Sequence, residues 1–363
     1  MTWAWVSIVG GLILLVAGGE LLVRGASTLA YAMRIPPLVI GLTVVAFGTS
    51  APELAVSVQS ALAGDADIAL GNVVGSNILN VLLILGASAM IIPLVVSSQL
   101  IRRDVPLMVA ASVLMLLLGL DGSIGRVDGV ILFGGLLVFT FWCVREGRRA
   151  TAAEQAEFQQ EMPKVGTGRI ATLKYVALIT VGLVMLGFGA TWLIAGAVAI
   201  ATHWGVSKLI ISLTIVAAGT SLPEIVTSII AAWRGERDIA VGNVVGSNLF
   251  NILCVLGLTG LVAPVGIEVP SSALQFDIPV MIAAAVACLP VFFTGHVISR
   301  WEGGMFFAYY LIYTAYLVLE ATASIHRRAI ADVMVSFVIP LTIVTLLITV
   351  YRYTRSRMTT ESD

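Results

Sequence analysis

Two carboxylates stand out by what surrounds them. Glu53 and Glu224 each end a phrase that the chain writes twice: GLTVVAFGTSAPE at 41–53 and SLTIVAAGTSLPE at 212–224, 171 positions apart, with nine of thirteen positions identical. A second phrase follows each at the same spacing, GNVVGSNILN at 71–80 and GNVVGSNLFN at 242–251. A carboxylate, hydroxyls and carboxamides thus recur together beside helix-breaking Gly and Pro inside long apolar runs. Oxygen donors of this kind suit a hard cation such as Ca²⁺, Na⁺ or Mn²⁺ rather than a soft one. Two buried carboxylates neutralise one divalent cation, leaving about zero net charge in a medium that penalises residual charge heavily. Polar groups at membrane depth, in two matching copies, are the pattern of an ion site at a repeat interface.

Local chemistry sharpens the assignment. Pro52 and Pro223 remove a helix hydrogen bond, and their rings clash with the carbonyls of Gly48 and Gly219, so each helix is expected to break there. Carbonyls freed around Thr49, Ser50, Thr220 and Ser221 then need a partner, which a cation supplies. Thr49 and Glu53, like Thr220 and Glu224, are four apart and are expected on one helix face. Asn72, Ser76 and Asn80 recur at i, i+4, i+8, as do Asn243, Ser247 and Asn251, each set forming a polar stripe on an apolar helix. The competing account is close packing: small-residue runs and single proline kinks are common in membrane helices. Two symmetric buried glutamates with matched amides outweigh it. Elsewhere, Glu20 and Arg24 read as an intrahelical ion pair, Asp104 and Asp277 as helix N-caps, and Asp128 and Glu302 as N-caps or interface anchors. The three histidines have no partner at ligand spacing, which argues against zinc.

These residues need a membrane scaffold. With 59% hydrophobic and 11% charged residues, the chain falls far from soluble composition, where about a quarter of residues are charged. The formal net charge of −1 and the lack of a basic tract point away from nucleic acid. The first apolar run lacks a basic leader and is expected to be a retained helix. Eleven apolar stretches reach membrane-spanning length, at 3–24, 38–63, 71–92, 104–120, 127–144, 175–201, 208–233, 242–263, 277–294, 303–321 and 330–351. The first five match the second five, since RDVPLM at 103–108 answers FDIPVM at 276–281 and RVDG at 126–129 answers RWEG at 300–303. The expected class is an all-α polytopic membrane protein: a five-helix repeat over 1–144, a cytoplasmic connector over 145–174, a second, inverted five-helix repeat over 175–323, and an extra helix with a cytoplasmic tail over 324–363.

Basic residues set the orientation. With the N-terminus outside and the C-terminus cytoplasmic, sixteen of the twenty Lys and Arg residues fall inside. Five is odd, so the second unit is expected upside down. GDADIALGN, between the second and third helices, has no base, whereas its counterpart RGERDIAVGN carries Arg234 and Arg237. One element has been recharged for opposite sides of the bilayer.

The paired GTSxPE and GNxxGSNxxN blocks resemble the two alpha repeats of the sodium/calcium exchanger family, prokaryotic type, within the calcium/cation antiporters. The resemblance covers nearly the whole chain to about residue 323. It implies a secondary antiporter, not an enzyme, working without a cofactor as a monomer in the plasma (inner) membrane and exchanging Ca²⁺ against Na⁺ by alternating access. By the same resemblance, helices two, three, seven and eight surround the ions while helices one and six slide across them. Carried over by motif position, Glu53 and Glu224 become the Ca²⁺ carboxylates, Thr49 and Thr220 supply backbone oxygens, Ser50, Ser76, Ser221 and Ser247 line flanking Na⁺ sites, and Asn80 and Asn251 occupy the middle. The pattern departs from relatives that carry an aspartate at one of the last two positions. A Ca²⁺/H⁺ antiporter, in which the glutamates exchange protons for the divalent ion, stays open; a hydrolase using Ser50 or Ser221 lacks a base, and a fixed two-fold inverted site argues against a passive channel.

Overall fold

The computed structural model describes residues 1–147, 166, 168–206, 208–211, 214–215, 217–322, 342–344, 347 and 351. The elements used below are α1 (Thr2–Met33), the bent pair α2 (Pro37–Thr49) and α3 (Ala51–Ala63), α4 (Ile68–Ile91), α5 (Leu100–Asp121) and α6 (Arg126–Gly147). They continue with α7 (Arg169–His203), α8 (Leu222–Trp233), α9 (Arg237–Val262), α10 (Ala273–Phe293) and α11 (Arg300–Ala321). Eight helices among the described residues are long and apolar enough to cross a membrane, and the bent pair makes a ninth. The segment expected at 208–233 is described as Lys208–Ile211, Ala217–Gly219 and α8. Most of the connector and nearly all of the expected eleventh helix lie outside the described residues.

Helix lengths exceed the apolar counts for a physical reason. Hydropathy falls at Arg24, but nothing there breaks the backbone, so α1 continues to Met33. It stops where Arg34 adopts the left-handed conformation (φ 56°), just ahead of Pro36 and Pro37. At 1.5 Å per residue, α1 and α7 are each about 50 Å long, more than a hydrocarbon core of about 30 Å requires.

Glycine sets how α1 and α7 meet. Gly11, Gly18 and Gly25 on α1 and Gly182, Gly189 and Gly196 on α7 each recur every seven residues. A Cβ on Gly18 would lie 2.8 Å from the carbonyl oxygen of Gly182, and one on Gly189 would lie 2.9 Å from that of Gly11. Only bare Cα atoms permit such backbone approach. Numbering rises along one helix as it falls along the other, so these equivalent helices of the two halves run antiparallel.

Two antiparallel ladders tie the halves together. The strands β1 (Leu94–Val95), β2 (Ser123–Ile124), β3 (Ile267–Glu268) and β4 (Val297–Ile298) pair as β1 with β4 and β2 with β3, in register Leu94↔Ile298 and Ser123↔Glu268. At the centre, 100% of the most apolar window of α9 is buried and 72% of that of α4, against 39% or less in the other spans. The two helices that carry the GNVVGSN phrase are therefore the core helices. All seven tryptophans are exposed, as interfacial anchors require.

Candidate functional site

The site begins at two helix breaks. Ser50 (φ −82°, ψ 5°) separates α2 from α3 with a 42° bend, and Ser221 (φ −87°, ψ 7°) precedes α8 in the same conformation. Pro52 and Pro223 lie in the first turns of the helices that follow, where their missing N–H costs least. Glu53 and Glu224 sit in those first turns, 0% and 1% exposed, at the end of each helix whose dipole favours an anion.

Each carboxylate is held by the opposite half. The Ser50 hydroxyl donates to Glu224 Oε1 at 3.1 Å, and Ser221 donates to Glu53 Oε1 at 3.0 Å while its oxygen, 3.0 Å from Ser76 Oγ, accepts from that hydroxyl. Thr49 donates to Asn243 Oδ1 (3.2 Å), whose Nδ2 donates to Ser228 (2.9 Å); Thr220 donates to Asn72 Oδ1 (3.3 Å), whose Nδ2 donates to Ser57 (3.0 Å). All but the Ser221–Ser76 bond have a counterpart 171 positions on. The Thr49 and Thr220 hydroxyls thus bond across the halves, as Glu53 and Glu224 do.

The amides form a second crossed pair. Asn80 Nδ2 donates to Asn248 Oδ1 at 3.0 Å and Asn251 Nδ2 to Asn77 Oδ1 at 3.1 Å. Both Asn80 and Asn251 begin a π-helical turn, Asn80–Leu85 and Asn251–Leu256, a feature concentrated at functional positions because the inserted residue re-aims its neighbours. Of the ten buried side-chain atoms without a hydrogen-bond partner among the described residues, five belong to the repeated phrases and their glutamates: Glu53 Oε2, Glu224 Oε2, Asn80 Oδ1, Asn251 Oδ1 and the Ser247 hydroxyl. Four of these five are oxygens that can only accept from a donor or a cation, and leaving such groups unpaired in an apolar interior is costly. Beside the break in α2 lies a cavity of about 870 Å³, lined by Phe47, Gly48, Pro52, Leu183, Pro223 and Phe250 among others.

All ten residues singled out from the sequence, Thr49, Ser50, Glu53, Ser76, Asn80, Thr220, Ser221, Glu224, Ser247 and Asn251, belong to this polar core or adjoin it on the same turns. Four participants escaped that reading: Asn77, Asn248, Ser57 and Ser228. A signal existed for each, since Asn77 and Asn248 follow the paired serines of the repeated phrase, and Ser57 and Ser228 lie four residues past the two glutamates. Asp104 and Asp277 are corrected. Neither caps its helix through its side chain; Asp104 accepts from Gln99 and Arg103, and Asp277 from Tyr313. Each follows a π turn continuous with its helix, so no free helix start exists there to cap. Glu302 does close a capping box with Ser299. Glu20 pairs with Arg24, as expected, and also with Arg234 of the second half.

A multi-pass helical protein with a buried, duplicated cage of oxygen acceptors is an integral membrane transporter rather than an enzyme. The model of the sodium/calcium exchanger protein family matches residues 3–145 and 174–319, and the chain belongs to that family. It is 41% identical over 291 residues to the putative antiporter CaxA of Alkalimonas amylolytica, covering 80% of this chain and 89% of that one. Over 338 residues it is 31% identical to the sodium/calcium exchanger MaX1 of Methanosarcina acetivorans, covering 85% and 96% of the two chains. The structure of the sodium-calcium exchanger NCX_Mj superposes with a TM-score of 0.75 at 29% identity, over 87% of this chain and 99% of that one. Na⁺ and Ca²⁺ are the ions the family transports, and this chain is a cation antiporter of that family.

Proposed function

We propose that this chain exchanges Ca²⁺ against Na⁺ by alternating access, at a site shared between its halves near the middle of the membrane. The observation that carries the reading is the set of four buried acceptors without a protein donor, Glu53 Oε2, Glu224 Oε2, Asn80 Oδ1 and Asn251 Oδ1. Two negative charges and two neutral oxygens match the charge and hardness of Ca²⁺. In this reading Glu53 and Glu224 are the Ca²⁺ carboxylates and Thr49 and Thr220 add backbone oxygens. Ser50, Ser76, Ser221 and Ser247 complete flanking Na⁺ positions, and Asn80 and Asn251 the centre. Because one chain supplies both halves of the cage, it works as a monomer. The helices α1 and α7, meeting through bare glycine backbone, are the elements suited to slide.

The test is ⁴⁵Ca²⁺ uptake into proteoliposomes under Na⁺, K⁺ or H⁺ gradients imposed one at a time. Uptake driven by outward Na⁺ and unaffected by collapsing the pH gradient is the expected result. Uptake that follows the H⁺ gradient instead transfers the counter-ion role to protons at Glu53 and Glu224.

We further propose an inverted arrangement of 1–144 against 175–323, N-terminus outside and C-terminus cytoplasmic, in the plasma (inner) membrane of a prokaryotic cell. The sixteen-to-four distribution of basic residues and the antiparallel course of α1 and α7 support it. Asp65→Cys, in the turn after α3, should react with a membrane-impermeant thiol reagent added outside intact cells; the native Cys143, Cys254 and Cys288 are buried. Reaction only from the cytoplasmic side would overturn the orientation.

A further inference from the structure

We infer that Asn77 and Asn248 are positioning residues that lock the amides of Asn251 and Asn80 with their carbonyl oxygens, not their NH₂ groups, presented to the ion. The inference rests on the reading of this core as a cation site. An amide can be turned either way, and turning it exchanges an attractive dipole for a repulsive one beside a cation. The hydrogen bonds fix which way it lies. Asn77 Nδ2 faces the backbone carbonyl of Asn248 (3.3 Å) and the Met281 thioether (3.7 Å), both of which can only accept. Asn77 must therefore turn its Oδ1 toward Asn251, which can answer only with Nδ2. That leaves Asn251 Oδ1 buried and unpartnered. The second half reproduces the logic: Asn248 Nδ2 faces the Met108 thioether (3.3 Å), Asn248 Oδ1 accepts from Asn80, and Asn80 Oδ1 is left over.

Two features make this a built device. The chain holds six asparagines in all, Asn72, Asn77, Asn80, Asn243, Asn248 and Asn251, and all lie in the two repeats of GNVVGSN(I/L)(L/F)N. The last four described, Asn77, Asn80, Asn248 and Asn251, are 2% exposed or less, so water does not compete for their amides. Each orienting residue also acts on the amide of the opposite half, so the acceptor character of the cage depends on the halves staying in register.

The composition gives a site-specific probe, since labelling asparagine side chains with ¹³C marks this core and nothing else. In infrared difference spectra of the full chain with and without Ca²⁺, the Glu carboxylate bands and the ¹³C-sensitive Asn carbonyl band should both shift. Carboxylate bands that respond while the Asn carbonyl band does not would overturn the inference and leave the Ca²⁺ site standing; no response in either would remove the Ca²⁺ reading and the inference with it. Asn77→Leu frees the Asn251 amide to turn, and Ca²⁺ affinity should fall roughly tenfold to hundredfold, the scale of one lost hydrogen-bond-type contact to a charge. In an Asn251→Asp background the same change should cost less than about threefold, because a carboxylate has an oxygen on either branch. In an Asn80→Asp background, whose altered residue Asn77 does not orient, the full cost should persist. Equal costs in the two backgrounds would mean that Asn77 merely packs. Should Asn77→Leu fail to insert, Asn248→Leu with the two backgrounds exchanged makes the same test, and the spectrum of the unaltered chain decides without any variant.

Discussion

Glu53→Gln and Glu224→Gln should each reduce Na⁺-driven ⁴⁵Ca²⁺ flux by about a hundredfold or more, with the protein still inserted and monodisperse. Gln keeps the shape and keeps an oxygen for the serine that donates to it, Ser221 or Ser50. What changes is the other branch: the unpartnered Oε2 becomes an NH₂ aimed where an acceptor is required. Removing one member of a buried charge constellation commonly costs about 3–5 kcal/mol, which is where the hundredfold comes from. Because each carboxylate takes one serine donor from the opposite half and leaves its other oxygen unpartnered, their effects should be alike. More than a tenth of parental flux in either purified variant would take that glutamate out of the ion site.

Gly18→Val should be strongly damaging although it lies outside the polar core. Its Cβ would lie 2.8 Å from Gly182 O and 2.9 Å from Leu186 N, backbone atoms that cannot step aside. Separating α1 from α7 to admit it exceeds ordinary overpacking, so a loss of about 3 kcal/mol or more is expected. Gly187→Ala is the control: on the same helix pair, its Cβ would meet nothing within 4 Å, and alanine favours the helix by roughly 1 kcal/mol. Fluorescence-detected size exclusion after stepped heating should show Gly18→Val aggregating at much lower temperature and Gly187→Ala unchanged. Equal melting would show that the seam is not tightly packed.

Much of this was readable from the chain, for identifiable reasons. Membrane spans follow from apolar length, and the break at Ser50 follows from Pro52, because both are consequences of local covalent and solvation chemistry. Duplication then singled out the candidate site, since it marked which polar residues come in pairs. What could not be read was who bonds to whom. Spacing along one helix put Thr49 and Glu53 on one face, but it does not say that the hydroxyl crosses to Asn243 and the carboxylate takes Ser221. Such partners are set by packing between residues more than 140 positions apart, which no local pattern encodes. Asn77 and Asn248 were passed over because a stripe read at four-residue steps follows one face, while these lie on the next, and the π turns at Asn80 and Asn251 shift that face again. Asp104 and Asp277 misled because a proline two residues on looks like a helix start, although the helix has already begun as a π turn.

The crossed hydrogen bonds carry a consequence for descent. A lone five-helix unit would own one carboxylate, one serine whose acceptor is elsewhere, and an amide with nothing to orient it. On the proposed inverted arrangement its site would close only against a second copy lying the other way up, which makes an antiparallel pair of identical chains the expected ancestral form. Joining the two would remove the need to find a partner and free each copy to acquire charges for a single side of the membrane, the role the proposed orientation gives Arg234 and Arg237, which the second half has and the first lacks.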